Sequence, residues 1–139
     1  MLSGRIMCLD LGDARIGVAM SDMLGITAQG KEVIQSKSDD VNLAKFKTLI
    51  SENNVTKLVV GYPLNMDGTE GEKAKAIRVQ FEFIKENVNI EAILWDERMS
   101  TVMAHRALDE GNVHWKKKKN VVDMLAAQVI LQSYLDSQN

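Results

Sequence analysis

One carboxylate stands alone in an apolar run near the start of the chain. Ile6-Met7-Cys8-Leu9 and Leu11 flank Asp10, and Gly12-Asp13 closes the run. A continuous apolar stretch of this length, ended by a turn signal, reads as a strand buried on both faces. An ionised carboxylate in such a strand is unfavourable unless it is paired or bound to a cation. A second apolar run, Ile16 to Met20, follows within a few residues, so the two runs read as a hairpin about Gly12-Asp13. Asp10 is therefore read as the founding residue of an active site whose partners come from the rest of the chain.

The later elements follow from periodicity. Ile26 to Gln35 reads as a third strand, bulged at Gly30. Ser38-Asp39-Asp40 offers helix caps, and apolar residues at helical spacing predict a helix from about Asp40 to Glu52, ended by Asn53-Asn54. Leu58-Val59-Val60 is a short apolar strand, followed by a polar loop over Asn65 to Gly71. Ala74, Ile77, Phe81 and Ile84 place a helix over about Glu70 to Asn87. Ile90 to Trp95 is the next strand, Val102 to Glu110 a further helix, and about Lys118 to Leu135 the last. Early strands joined by tight turns are antiparallel, and later strands separated by helices are parallel. The expectation is an α/β fold: a mixed sheet of five strands, three antiparallel and then parallel, flanked by helices.

Length and composition narrow the setting. A chain of 139 residues fits one domain, residues 1–139, with one core. The net charge of -2 advertises no global basic field, though a local patch suffices for nucleic acid. A single cysteine, Cys8, permits no internal disulfide and suits a reducing cytoplasm. No signal-peptide core and no apolar run near the roughly 20 residues of a membrane span is present. A soluble cytoplasmic protein is expected, with no membrane partner.

Two further acids stand in unusual settings. Asp123 is the only charged residue from Val121 to Leu135, on a face shared with Ala126, Ala127 and Ile130. Asp96-Glu97 ends the last strand, where α/β sheets place their sites. Alternation sends the two acids to opposite sides and does not say which faces the site. Each acid also has a plainer reading: Asp10 as a turn cap, Asp123 paired with Lys119, and Asp96 or Glu97 paired with Arg98. Together they fit a divalent cation held by oxygen ligands, magnesium or manganese. Cys8, His105 and His114 lack the spacing of a zinc site.

The stretches CLDLGDARIGVAMSD, VVGYPLNMDGTEG, WDERMST and KKKKNVVDMLAAQVILQSYL, in this order, resemble the YqgF family. These are pre-16S rRNA nucleases, also called Holliday-junction-resolvase-like proteins, with an RNase H-like fold. The resemblance runs from Arg5 to Leu135. It implies a metal-dependent acidic triad matched here by Asp10, Glu97 and Asp123, and it points to Glu97 rather than Asp96. In that family a basic residue often precedes the hairpin arginine; here Ala14 stands before Arg15.

The activity so implied is endonucleolytic hydrolysis of phosphodiester bonds, with Mg2+ or Mn2+, in processing of the 5′ end of pre-16S ribosomal RNA. Substrate contacts are expected from Gly12 and Arg15 of the hairpin. Gly61, Pro63, Asn65 and Gly68 of the following loop, Arg98, Ser100 and Thr101, and the basic run Lys116, Lys117, Lys118 and Lys119 complete the set. The partner is structured RNA or branched DNA, and the protein is a monomer or weak dimer. Three alternatives stand beside this one. The first is a Holliday junction resolvase. The second, from Asp10-Leu11-Gly12 and Gly17, is an ATP-binding domain like those of actin and sugar kinases, although those proteins need two such domains. The third is a non-catalytic adaptor in transcription or ribosome assembly.

Overall fold

The middle of the sheet belongs to the apolar run around Asp10. In the computed structural model, which describes residues 4–100 and 116–138, β1 (Arg5–Leu11) lies between β2 (Arg15–Ser21) and β4 (Val55–Tyr62). β3 (Ala28–Gln35) and β5 (Glu91–Asp96) form the two edges, in the order β3-β2-β1-β4-β5. β1 to β3 are antiparallel, and β1, β4 and β5 are parallel, as the spacing of the elements predicts. The helices are α1 (Asp39–Glu52), α2 (Glu72–Asn87) and α3 (Lys116–Gln138). A single 3-10 turn, Glu97–Met99, follows β5. The helix expected over Val102 to Glu110 lies outside the described residues.

Alternation along the strands sorts side chains into two cores. Met7, Leu9 and Leu11 of β1 pack with Leu58 and Val60 of β4 and with Phe46, Ile77 and Phe81 of α1 and α2. Cys8 and Val59 point the other way, into Ala126, Ala127, Ile130, Leu131 and Tyr134 of α3. β1 is thus buried on both faces, and among the described residues α3 covers the face that Asp10 shares with Cys8.

Several boundaries differ from expectation for local reasons. β3 starts at Ala28 rather than Ile26, because the Asp22 carboxylate accepts a hydrogen bond from the Ile26 N–H at 2.8 Å and holds that segment in a turn. The Asp22 carboxyl is held below its usual range, chiefly by that bond. The bulge expected near Gly30 is present: Val18 pairs with Glu32 and Ala19 with Gly30, which skips Lys31. β4 begins earlier, at Val55, in a polar stretch that hides its strand character. Ser38 caps α1 by accepting from the Val41 N–H at 3.2 Å, and α1 ends at Asn53, as expected.

α3 is fastened to the sheet at both ends. Towards its C-terminus the Trp95 ring meets Tyr134 edge-on at 5.3 Å, and the Lys57 ammonium bonds the Tyr134 hydroxyl. Gln128 and Gln132 accept from the Gly30 and Ala28 N–H groups of the edge strand, both at 2.9 Å, which occupies donors that an edge otherwise exposes. Towards its N-terminus, a Cβ on Gly17 would collide with the main-chain carbonyl of Asp123, whereas one on Gly30 would meet side chains, Met124 at 2.6 Å and Gln128 at 3.5 Å. A side chain can swing away and a helix backbone cannot. Gly17→Ala is expected to destabilise by about 1–3 kcal/mol and Gly30→Ala by clearly less, compared in urea melts.

Candidate active site

The carboxyl ends of the parallel strands β1 and β4 lie side by side, and the three predicted acids approach this end of the sheet. Leu9 pairs with Val60, so Asp10 and Gly61 are the next positions along the two strands. Asp10 is only 6% exposed. By alternation it lies on the face covered by α3, two residues beyond the buried Cys8.

Glu97 opens the 3-10 turn after β5 and is 1% exposed. Its carboxylate reaches back across β4 into the space that a Gly61 side chain would fill. Glu97 Oε2 lies 2.9 Å from the position of such a Cβ, and Ile130 Cδ1 lies 3.0 Å from it. Gly61 thus serves by making room for an acid. Burial pushes the Cys8 thiol well up, and the negative charges of Asp10 and then Glu97 add to the shift. Cys8, Asp10 and Glu97 therefore share one electrostatic neighbourhood.

Asp96 is engaged elsewhere. Its Oδ1 accepts from the Arg98 N–H at 2.9 Å, and the Arg98 guanidinium forks onto the carboxylate, with Nη2 to Oδ2 at 2.7 Å. Hydrogen bonding from Arg98 lowers the Asp96 carboxyl and raises the guanidinium in return. Arg98 Nη1 also donates to the Met66 carbonyl at 3.2 Å. Arg98, expected to contact substrate, thus ties the end of β5 to the loop after β4.

The third acid has a protein cation as its partner. Asp123 Oδ2 accepts from Arg15 Nε at 2.6 Å, with the two side chains 23% and 30% exposed. Asp123 sits directly over Gly17, which pairs with Asp10 across β1 and β2. Arg15 is thus turned to a carboxylate, where phosphate contact is expected of it. Lys119, the alternative partner at i-4, has its side chain outside the description.

The remaining predicted residues mostly shape loops. The Gly12 N–H donates to the Arg15 carbonyl at 3.0 Å and closes the hairpin. Pro63 is half-buried where the chain leaves β4. Asn65 accepts from the Gly68 N–H at 2.8 Å and donates from its own N–H to the Thr69 carbonyl at 2.9 Å. Gly68 adopts φ +90° there, a conformation that favours glycine. The Ser100 hydroxyl and N–H both bond the Glu97 carbonyl, at 2.8 and 3.0 Å, and so close the turn beneath Glu97. Thr101 lies outside the described residues. Lys116 to Lys119 form the first turn of α3, and their side chains are not described.

One constellation had no signal in spacing. The Tyr62 hydroxyl donates to Glu70 Oε2 at 2.5 Å, and Arg78 forks onto the same carboxylate at 2.7 and 3.1 Å. Together they pin the far end of the loop to β4 and α2, and Glu70 leaves the helix to do so.

The donors suit a divalent ion in kind, since all three are hard oxygen ligands. Among the described residues, however, no three His, Cys, Asp or Glu side chains stand in a group able to hold a metal ion. Asp123 is paired with Arg15.

The fold is that of RNase H-like resolvases. RuvC of Thermus thermophilus in complex with a Holliday junction superposes over 98% of this chain and 97% of that one, with a TM-score of 0.59 at 10% identity. The fowlpox virus resolvase bound to Holliday junction DNA superposes over 96% and 98%, with a TM-score of 0.55 at 13% identity. Residues 4–137 match the family model described as RuvX: Holliday junction resolvase, and the chain belongs to that family. Relatives named "Putative pre-16S rRNA nuclease" include those of Halothermothrix orenii, 49% identical over 97% of this chain and 96% of that protein, and Clostridioides difficile, 47% identical over 98% and 96%. The chain is accordingly a nuclease, an enzyme acting on phosphodiester bonds.

Arg78 and Tyr62 hold the Glu70 carboxyl down at about 2, from an ordinary 4.5. A depressed folded-state value means that its stabilisation is present above the ordinary range and is lost as pH falls toward 2. In an NMR titration Glu70 is expected to protonate near that value. Arg78→Gln should return it toward the ordinary carboxyl range.

Proposed function

We propose that this protein is a divalent-metal-dependent endonuclease of the cytoplasm, acting in processing of the 5′ end of pre-16S ribosomal RNA. The observation that carries this reading is a pair of buried acids, Asp10 near the end of β1 and Glu97 in the turn after β5, with the Glu97 carboxylate set against Gly61 of β4. The relatives' names support ribosomal RNA as the substrate, and a net charge of -2 places the attraction to nucleic acid in local cations. Among the described residues no helix is long and apolar enough to cross a membrane. The active species is a monomer or weak dimer.

Asp10, Glu97 and Asp123 would hold the metal, with Mg2+ or Mn2+ favoured by the all-oxygen donor set. A bound divalent ion supplies activation of water and stabilisation of the leaving oxygen. Gly61 gives Glu97 its path to the site, and Ser100 fixes the turn from which Glu97 projects. Asp96 and Arg98 hold the Met66 carbonyl, and with it the loop that borders the site. Met66 and Met99, 77% and 64% exposed on this rim, offer apolar contact to nucleobases. The lysines at the start of α3 would track the phosphate backbone.

The alternative of branched DNA rests on the family description. Incubation with ribosomal RNA precursors and with four-way DNA junctions, in Mn2+ and then in EDTA, separates the two substrates. Asp10→Asn and Glu97→Gln should each lower cleavage by more than the roughly 100-fold that loss of a supporting metal contact costs. Mn2+ at 100 times its dissociation constant should stabilise the parent by about 2.7 kcal/mol and these variants far less, read by thermal melts. Cleavage by a folded Asp10→Asn variant would exclude that acid from the metal site. Replacing Lys116 to Lys119 by glutamine should flatten the salt dependence of binding by up to about 0.7–0.9 log units for each phosphate no longer neutralised.

A further inference from the structure

Asp123, which the metal-site reading needs, is already taken by a cation of the protein. Arg15 Nε donates to Asp123 Oδ2 at 2.6 Å, and neither side chain is deeply buried. Both main chains are held in place. The Arg15 carbonyl receives the Gly12 N–H at 3.0 Å, Arg15 pairs with Gln35 on β3, and the Asp123 carbonyl rests against Gly17. Any rearrangement of the pair is therefore confined to side-chain rotation. Among the described residues Arg15 engages Asp123 through Nε alone, which leaves Nη1 and Nη2 to meet a phosphate.

We propose that Arg15 competes with the divalent ion for Asp123 and releases it when a substrate phosphate draws the guanidinium away. The inference rests on the reading of Asp10, Glu97 and Asp123 as the metal site. Its physical basis is exchange of partners. A guanidinium with one engaged nitrogen forms a two-pronged bond to a phosphate, stronger than the single bond it leaves. The freed carboxylate then adds its charge to the two acids at the site. Metal and nucleic acid consequently bind with positive coupling, and by linkage each strengthens the other by the same factor. Arg15 in this scheme is a positioning residue, acting through Asp123.

The test measures binding, without turnover. Mn2+ is titrated calorimetrically into the parent, Arg15→Gln, Asp123→Asn and the double variant, with no nucleic acid present. Arg15→Gln should tighten Mn2+ about tenfold, and the gain should vanish in the Asp123→Asn background. A second measurement follows a fluorescein-labelled four-way DNA junction in EDTA. Asp123→Asn, which frees Arg15, should bind it more tightly than Asp10→Asn, which removes equal charge and leaves the pair intact. That gain should disappear when Arg15→Gln is added. Mn2+ binding by the parent that is unchanged or weakened in a folded Arg15→Gln variant overturns the competition alone. Equal junction binding by the two Asn variants also overturns it. Absence of Mn2+ binding in parent and variant alike overturns the metal-site reading and this inference with it.

Discussion

The close seating of α3 on β2 is the contact from which the rest of the site follows. At Gly17 a helix main chain touches a strand main chain with no side chain between them. Gly30 extends the contact to β3, and Ala126 and Ala127 keep the helix near the sheet behind it. Small residues on both partners bring Asp123 over the β1–β2 pair at the position of Asp10. A helix standing off by one ordinary side-chain layer would carry Asp123 away from the sheet and leave Asp10 and Glu97 to water. Packing and chemistry are thus set by the same few atoms.

Charge is distributed around this contact in two tiers. The inner tier, Asp10 and Glu97, is acidic and buried; the described partner of Asp123 is Arg15. The outer tier is a set of matched pairs, Asp96 with Arg98 and Glu70 with Arg78, which hold the loop after β4. Such partly exposed pairs contribute little to global stability. Their effect is geometric, because each forked bond removes freedom from a loop that would otherwise move independently of the acids beneath it.

Much of this could be read from the chain, and the failures have definite causes. Asp10 is conspicuous because charge in a doubly buried strand is rare, and the bulge at Gly30 follows from a glycine inside a strand pattern. Asp96 and Glu97 could not be separated, because the rule of alternation ends where β5 ends. The 3-10 turn begins at Glu97 and rotates that side chain inward. Resemblance, rather than geometry, pointed to Glu97. The cation facing Asp123 was invisible for a different reason. Arg15 is 108 positions away in sequence, and only the approach of α3 to the hairpin joins them. Likewise the tie from Arg98 to the loop after β4 could not be read from spacing, since its Met66 contact spans 32 residues.

The lone thiol beneath the acids has a practical meaning. Cys8 is fully buried in the central strand, and burial together with the charges of Asp10 and Glu97 keeps its sulfur protonated. A protonated, enclosed sulfur is a poor nucleophile, so the folded protein resists alkylating and oxidising reagents. Reaction at this one atom must wait until the α3 layer lifts from the sheet. A thiol reagent therefore counts openings of the very layer that packs over Asp10, and it does so without a label placed anywhere in the molecule.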